Sequence, residues 1–371
     1  MAWLLLALVA GSLVYCILVI IAASRTNTPP VAAGTPPISI LKPLNGADEG
    51  LEENLRSFFI QTYPDFEILA AVRNPADKAV PIFEKLQHEF PQIRSQLLIA
   101  GEPPYPNAKV WSLDKMMTAA KNEILVMSDS DIRVTPEMLQ VVAAEFQDEK
   151  LGVATCPYRA VPGASIWSQL EAAGMNTEFL AGILVARMLE GMKFAVGPTI
   201  IARKAALREI GGFDRLKDYL AEDFVMGKFA AEAGWHVILS SYVVEHRIGS
   251  ETLGANAVHR IRWNRSTRRS RPAGYAGQLF TNPLPLSLLL CAIRPGWWLV
   301  LPATAAIRAL AAYATAGWIL HDPLCARRWW LIPLQDLVSF VFWTAGFFGN
   351  TIVWRGRRYY LFPDGRFELS R

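Results

Sequence analysis

Hydrophobic and polar positions divide the chain into three stretches of different texture. Residues 2–23 carry no charge, which is long enough to span a bilayer, since a spanning helix takes ~20 apolar residues. From about residue 37 to 270 the pattern is that of a globular domain, with short apolar runs alternating with helical spacing. Ile38–Leu41, Phe66–Val72, Ser95–Ala100 and Glu123–Met127 read as strands. Leu51–Thr62, Ala79–Phe90 and Leu113–Ala120 carry helical spacing between them. Strands alternating with helices in this way predict a doubly wound parallel sheet. Further on, Pro136–Asp148, Trp167–Leu189 and Phe224–Ala233 are expected as helices, and Gly152–Cys156, Thr199–Ala202 and His236–Leu239 as strands.

The third stretch, about 284–354, is apolar again. Trp297–Leu320 and Trp330–Trp354 are each long enough to cross, interrupted only by Arg308 and Asp336. Leu284–Ile293 is short and stops at Arg294-Pro295-Gly296, as an interfacial segment would. The expected organisation is an anchor at 1–24, a linker at 25–36, a catalytic-type domain at 37–270, a membrane region at 271–354 and a basic tail at 355–371.

Composition agrees with that division. Of 371 residues, 52% are hydrophobic and 19% charged, against roughly 25% charged in ordinary soluble domains. Mean hydropathy is +0.22. A cleaved secretory signal fits poorly, because no basic segment precedes Trp3 and the apolar run is longer than a usual signal core. Arginines flank the C-terminal apolar block on both sides (Arg265, Arg268, Arg269 and Arg271 before it; Arg355, Arg357, Arg358, Arg366 and Arg371 after it). This bias places both flanks on the cytoplasmic side and calls for an even number of crossings. The formal charge is only +4, so these basic residues suit an anionic lipid surface and not nucleic acid. Four scattered cysteines give neither a disulfide framework nor zinc spacing.

Candidate chemistry begins at Asp129-Ser130-Asp131, directly after the apolar run 123–127. The carboxyl edge of an open α/β sheet is where ligands bind. Two carboxylates there can hold Mg²⁺ or Mn²⁺ against a diphosphate. Asp77 follows the second strand, Glu222-Asp223 opens a later helix, and Arg262-Trp263 precedes the membrane block. Taken singly, these are a helix cap, a response to the helix dipole and an interfacial anchor. Their joint order is the stronger signal.

On these residues the chain resembles the ceramide glucosyltransferase-like family, glycosyltransferase family 21, of the GT-A fold. The matching stretches are Ile40-Leu41-Lys42-Pro43-Leu44-Asn45-Gly46, Asn54-Leu55, Phe58-Phe59, Tyr63-Pro64, Asn107-Ala108-Lys109, Asp129-Ser130-Asp131-Ile132-Arg133-Val134, Ala221-Glu222-Asp223-Phe224, Arg262-Trp263 and Trp354-Arg355-Gly356-Arg357-Arg358-Tyr359. A sister branch, the hopanoid-biosynthesis glycosyltransferases, shares most of them.

The resemblance implies a UDP-sugar donor, a membrane-lipid acceptor and a divalent cation. It assigns Asp129 and Asp131 to the metal, Asp223 to general-base work, and Lys42, Pro43, Asp77, Lys109, Asp129, Ser130, Glu222, His259, Arg262 and Trp263 to the nucleotide sugar. His259 stands where the family's (Q/R)xxRW motif has Gln or Arg, and Asn74 where relatives often carry Asp. The implied location is an integral, multi-pass membrane protein with its catalytic domain facing the cytoplasm, at a bacterial inner membrane or a eukaryotic Golgi. Glucose and ceramide are the expected substrates. Transfer to a hopanoid or sterol, and a non-catalytic nucleotide-sugar-binding adaptor, are the alternatives. A processive polysaccharide synthase would need more spans.

Overall fold

The computed structural model describes residues 1–25 and 34–370; most of the expected linker lies outside them. Among the described residues thirteen strands are formed: β1 (Ile38–Pro43), β2 (Phe66–Val72), β3 (Arg94–Ile99), β4 (Ile124–Ser128), β5 (Ile132–Arg133), β6 (Leu151–Thr155), β7 (Tyr158–Pro162), β8 (Thr199–Arg203), β9 (His236–Leu239), β10 (Val244–Gly249), β11 (Thr351–Trp354), β12 (Arg357–Leu361) and β13 (Phe367–Leu369).

Seven strands make the central sheet in the order β3-β2-β1-β4-β8-β6-β9. β1, β2, β3 and β4 are parallel, with Ile40 opposite both Ile68 and Val126. β1, β2 and β4 are almost wholly buried, as strands covered by helices on both faces should be. Side chains alternate between two cores: Ile38, Ile40, Ile68 and Val126 face one, Leu41, Leu69, Leu125 and Met127 the other.

The parallel pattern expected for the strands up to Met127 holds, and the sheet becomes mixed at β8. This strand runs antiparallel to both β4 and β6. The chain leaves β4 through the acidic triplet, builds β6, β7 and the long helical segment 166–190, and re-enters from the opposite end. A second small sheet, β5-β10-β7, lies beyond the carboxyl end of β4. It pairs His246 with Ile132, directly after the triplet.

The helix Ala2–Ala23 is long and apolar enough to cross a membrane, and the pair Pro272–Thr281 and Pro283–Ile293 passes the same test as one segment bent by 61°. One stripe of the first helix (Ala2, Val9, Cys16, Val19, Ala23) is buried against segments 180–186, 284–290 and 311–320. Its other face leaves Leu4, Val14, Ile17 and Ile21 exposed.

Val300–Ala312 continues as a wide-turn helix, Tyr313–Ile319. Leu331–Gly346 is shorter than the expected span to Trp354, because residues 351–354 leave the helix and form β11. Arg265 and Arg268 take the carbonyls of Phe347, Phe348, Gly349 and Thr351, which ends the helix and ties the chain to the helix Leu253–Ser270. The two charges that interrupt the apolar block meet: Arg308 Nε and Nη2 bond the Asp336 carboxylate at 2.9 and 2.8 Å, and Arg308 also bonds Thr177 Oγ1 at 3.1 Å. The basic stretch expected as a tail is folded, with β11, β12 and β13 forming an antiparallel sheet over Leu220.

Candidate active site

The site forms where the loops after β1, β2 and β4 converge. β1 and β4 are neighbours, while β2 returns on the other side of β1. This is the switch point at which open α/β sheets leave a crevice.

Asp129 is fixed from below. Its N–H donates to Pro198 O at 3.0 Å, and its carbonyl accepts from Lys42 Nζ. Lys42 is fully buried and also reaches Ser128 Oγ at 3.3 Å, with its ammonium 4.0 Å from the Phe58 ring centre. Burial pushes this ammonium down to about 7, against the pull of Asp129 and Asp131. Lys42 therefore underpins the loop and does not project into the crevice. Pro43 ends β1 beside Ala71.

Above the loop, Lys109 Nζ lies 2.7 Å from Asp129 Oδ1 and 3.3 Å from Glu222 Oε1. Burial works against its charge, but Asp129 and Glu222 outweigh burial and hold the ammonium well above its ordinary range. Asn107 caps the helix Ala108–Ala119 through Val110 N–H and donates to Tyr219 O at 2.9 Å and Glu222 Oε2 at 3.3 Å. Glu222 is thus occupied on both oxygens.

Asp223 is placed differently. One oxygen accepts from Gly197 N–H, and the residue is only half-buried. Burial raises its pKa, opposed by the Gly197 N–H and Lys109. Burial raises Glu222 as well. Gly227, one turn further on, makes this packing possible. A Cβ there would stand 2.1 Å from Ala195 N, so only glycine lets the helix Glu222–Glu232 lie against the 194–197 backbone.

Asp131 Oδ2 meets His246 Nε2 at 3.0 Å, while Asp131 Oδ1 and His246 Nδ1 are buried with no hydrogen-bond partner. Burial pushes Asp131 up, but His246 and Lys42 overcome it and hold the carboxyl below its usual range. Ser130 Oγ donates to Asp48 at 3.3 Å. Asp77 Oδ1 accepts from Gly46 N–H and Ala79 N–H, both at 2.9 Å, so it caps a helix and pins the loop after β1. Asn74 accepts from Ala76 N–H in the same turn.

The remaining candidates lie on the helix Leu253–Ser270. Arg262 makes no hydrogen bond or ion pair among the described residues, and its guanidinium is 6.0 Å from the Trp354 ring centre. Burial pulls it down to about 10, opposed by Glu222. His259 is not with this group. Its Nδ1 lies 3.0 Å from Glu171 Oε1, its ring packs on Trp263 at 4.4 Å, and Glu251 completes a compact cluster.

The structure therefore unites Lys109, Asp129, Glu222 and Asp223, sets Asp131 beside His246, and puts Asp77 at the rim. The sequence reading did not include His246, Glu171 or Asn107 among the site residues. His246 stands in an alternating run, Val244-Glu245-His246-Arg247-Ile248, which was the available signal.

With this geometry in place, the comparison with solved structures defines the class. The mannosyltransferase PcManGT from Pyrobaculum calidifontis, solved in complex with GDP-Man and Mn²⁺, superposes with a TM-score of 0.55 at 18% identity, covering 92% of this chain and 97% of that one. The fold is a mixed α/β glycosyltransferase fold of the GT-A type. The model of Glycosyl transferase family 21 matches residues 4–367, and the chain belongs to that family. Among its relatives, ceramide glucosyltransferase 1 of Caenorhabditis elegans is 29% identical over 220 residues (59% of this chain, 47% of that protein). Ceramide glucosyltransferase 3 of the same organism is 27% identical over 235 residues (62% and 50%). The chain spans about half the length of the curated relatives it matches.

Proposed function

We propose that this protein is a membrane-bound inverting hexosyltransferase that moves glucose from UDP-glucose to the hydroxyl of a membrane lipid, with ceramide as acceptor. The observation that carries the reading is the division of labour in the Glu222-Asp223 pair. Glu222 is saturated by Lys109 and Asn107, whereas Asp223 accepts from backbone N–H groups, those of Gly197 and Phe224, and stays half-exposed. A lipid hydroxyl is a poor nucleophile, and a carboxylate positioned to take its proton in the transition state accelerates attack by typically 10²–10⁴-fold. Burial raises the Asp223 pKa, which makes it a better proton acceptor. One base and no second free carboxylate acting as nucleophile favour a single displacement. The product is then a β-glycoside from an α-linked donor, and NMR of the anomeric proton would expose an α product.

Asp131 and Asp129 fit a divalent cation. Asp131 offers a buried carboxylate oxygen with no partner, an arrangement costly to leave unsatisfied. A bound Mn²⁺ or Mg²⁺ there would supply positive charge to the leaving diphosphate. Lys109 keeps Asp129 oriented. Arg262, unpaired in a desolvated position, adds charge stabilisation where negative charge develops. Asp77 and the loop it pins are assigned to the nucleotide. The exposed apolar face of Ala2–Ala23, with Leu288, Leu289, Trp298, Leu310 and Val341, supports a bilayer setting from which a lipid acceptor enters without leaving the membrane.

The test is turnover of the full chain in detergent with Mn²⁺ or Mg²⁺, over a matrix of UDP-sugars and lipid acceptors, with products identified by mass spectrometry. Hexosylceramide from UDP-glucose supports the reading. A glycosylated hopanoid or sterol with silent ceramide moves the acceptor and keeps the mechanism. UDP-sugar binding without transfer to any lipid favours a non-catalytic adaptor.

A further inference from the structure

The helix Leu253–Ser270 meets the helix Ile166–Gly174 at a cluster that the proposed chemistry does not use. Glu171, Glu251 and His259 each offer a ligand-type atom there, and these atoms all lie within 4.8 Å of one another. Glu171 is 3% exposed, while Glu251 and His259 are half-buried. A carboxylate so far from water is costly unless it is paired or binds a metal.

Hydrogen bonds run around this cluster and not through it. His259 Nδ1 and Glu171 Oε1 stand 3.0 Å apart. Their approach is not aligned as a hydrogen bond, and both atoms are buried with no hydrogen-bond partner. No lysine or arginine pairs with Glu171 or Glu251 among the described residues; the neighbouring guanidinium, Arg260, donates instead to Gln335 Oε1 at 2.8 Å. Asn256 Nδ2 donates to Glu171 Oε2 and, at 3.4 Å, to Glu251 Oε2, which holds the two carboxylates side by side. Carboxylates held together call for a proton or a cation. An imidazole nitrogen presented beside them favours a cation that takes both nitrogen and oxygen ligands.

The frame around the three residues is built as well. Glu251 N–H donates to Ser168 Oγ at 2.8 Å, and Glu251 O accepts from Ser165 Oγ, so this residue is sewn to the helix that bears Glu171. Asn256 fixes Glu171, and the His259 ring rests on Trp263 at 4.4 Å. Outer contacts of this kind orient metal ligands. Ligands bound at zinc distances stand about 3.0–3.5 Å from one another. His259 and Glu171 already have that spacing, and the half-buried Glu251 closes the rest through its side-chain torsions.

We infer that Glu171, Glu251 and His259 hold a zinc ion, separate from the cation of Asp129 and Asp131, as a staple between the two helices. Two carboxylates balance its charge, and with one imidazole and a water they complete a tetrahedral set. His259 lies one turn before Arg262 on the same helix, so the ion fixes the segment that carries Arg262. The inference stands apart from the nucleotide-sugar reading above.

The test is zinc binding to the full chain in detergent without nucleotide, read by metal analysis after dialysis and by calorimetry. The proteins are D131N and D131N carrying E171Q, H259Q or N256A; D131N takes the other candidate cation site out of the count. D131N should hold one zinc per chain. E171Q and H259Q should each weaken it by more than about 100-fold, beyond the roughly 10- to 100-fold cost of losing an outer contact, which N256A should show. Co²⁺ in D131N should give the visible absorption of a four-coordinate ion, and H259Q should abolish it. Glutamine keeps a hydrogen-bonding group beside Glu171, so H259Q and its parent should melt together in EDTA, and zinc should raise the Tm of the parent alone. No zinc held by D131N, or equal zinc affinity in D131N and its E171Q and H259Q forms, overturns the inference and leaves the glycosyltransferase reading untouched.

Discussion

Replacing Asp223 with asparagine separates chemistry from architecture at this site. The amide is nearly isosteric and its oxygen can still accept from Gly197 N–H, so packing against 194–197 persists. What disappears is one negative charge in a group where Asp129, Glu222 and Asp223 are balanced by Lys109. Because burial raises the Asp223 pKa in the folded state, ionising it opposes folding. Its contribution to stability is present at low pH and is lost as pH rises from the unfolded value through the raised folded one. At neutral pH the D223N protein should therefore melt at the same temperature as wild type or higher. Its kcat should fall by about 10²–10⁴, a transition-state loss of about 3–5 kcal/mol. UDP affinity should hold. The assay is hexosyl transfer under saturating donor, with differential scanning fluorimetry and UDP calorimetry on the same preparation. Loss of less than about tenfold in kcat, or loss that tracks a fall in Tm or in UDP binding, would refute the assignment of Asp223 as base.

The wild-type kcat should fall on the acid side with a limb displaced above the ordinary carboxylate value of about 4, because burial raises Asp223; the displaced limb should vanish in the residual activity of D223N. Gly227→Ala should cost about 1–3 kcal/mol or more and lower activity, since its Cβ would strike Ala195 N; urea unfolding and turnover read both. Arg308→Met alone should destabilise by about 3–5 kcal/mol by stranding buried Asp336, while the double variant with Asp336→Leu should recover most of it; thermal inactivation in detergent compares them. Chelation with EDTA should abolish transfer, and Mn²⁺ should restore it in wild type but not in D131N.

The parallel half of the sheet was legible because its signals are local. Phe66–Val72 is apolar but for Glu67, and the structure gives the strand those same ends. The helices and strands from 38 to 128 follow from the same alternation. What sequence could not carry was pairing between distant segments. Nothing in Thr199–Arg203 says that it runs antiparallel. The two-residue β5 has no pattern at all, so the contact it gives His246 with the acidic triplet was invisible. Of the site, the acidic order was readable, but the structure separates functions that spacing merges: Lys42 lies under the loop, Lys109 above it, and His259 lies against Glu171 in a distinct cluster. The hairpin was missed because Arg-Gly is a weak turn signal, and the apolar run through Trp354 resembled a helix continuing.

The order in which the polypeptide is made gives the C-terminal sheet a further meaning. Strands β11 to β13 close over Asp218–Leu220, yet they leave the ribosome only after every apolar segment between residues 272 and 346. A nascent chain halted among those segments carries the acidic residues of the site but not the sheet that covers Leu220. The cover over the segment that leads into Glu222 is thus added last, after the apolar segments have been made.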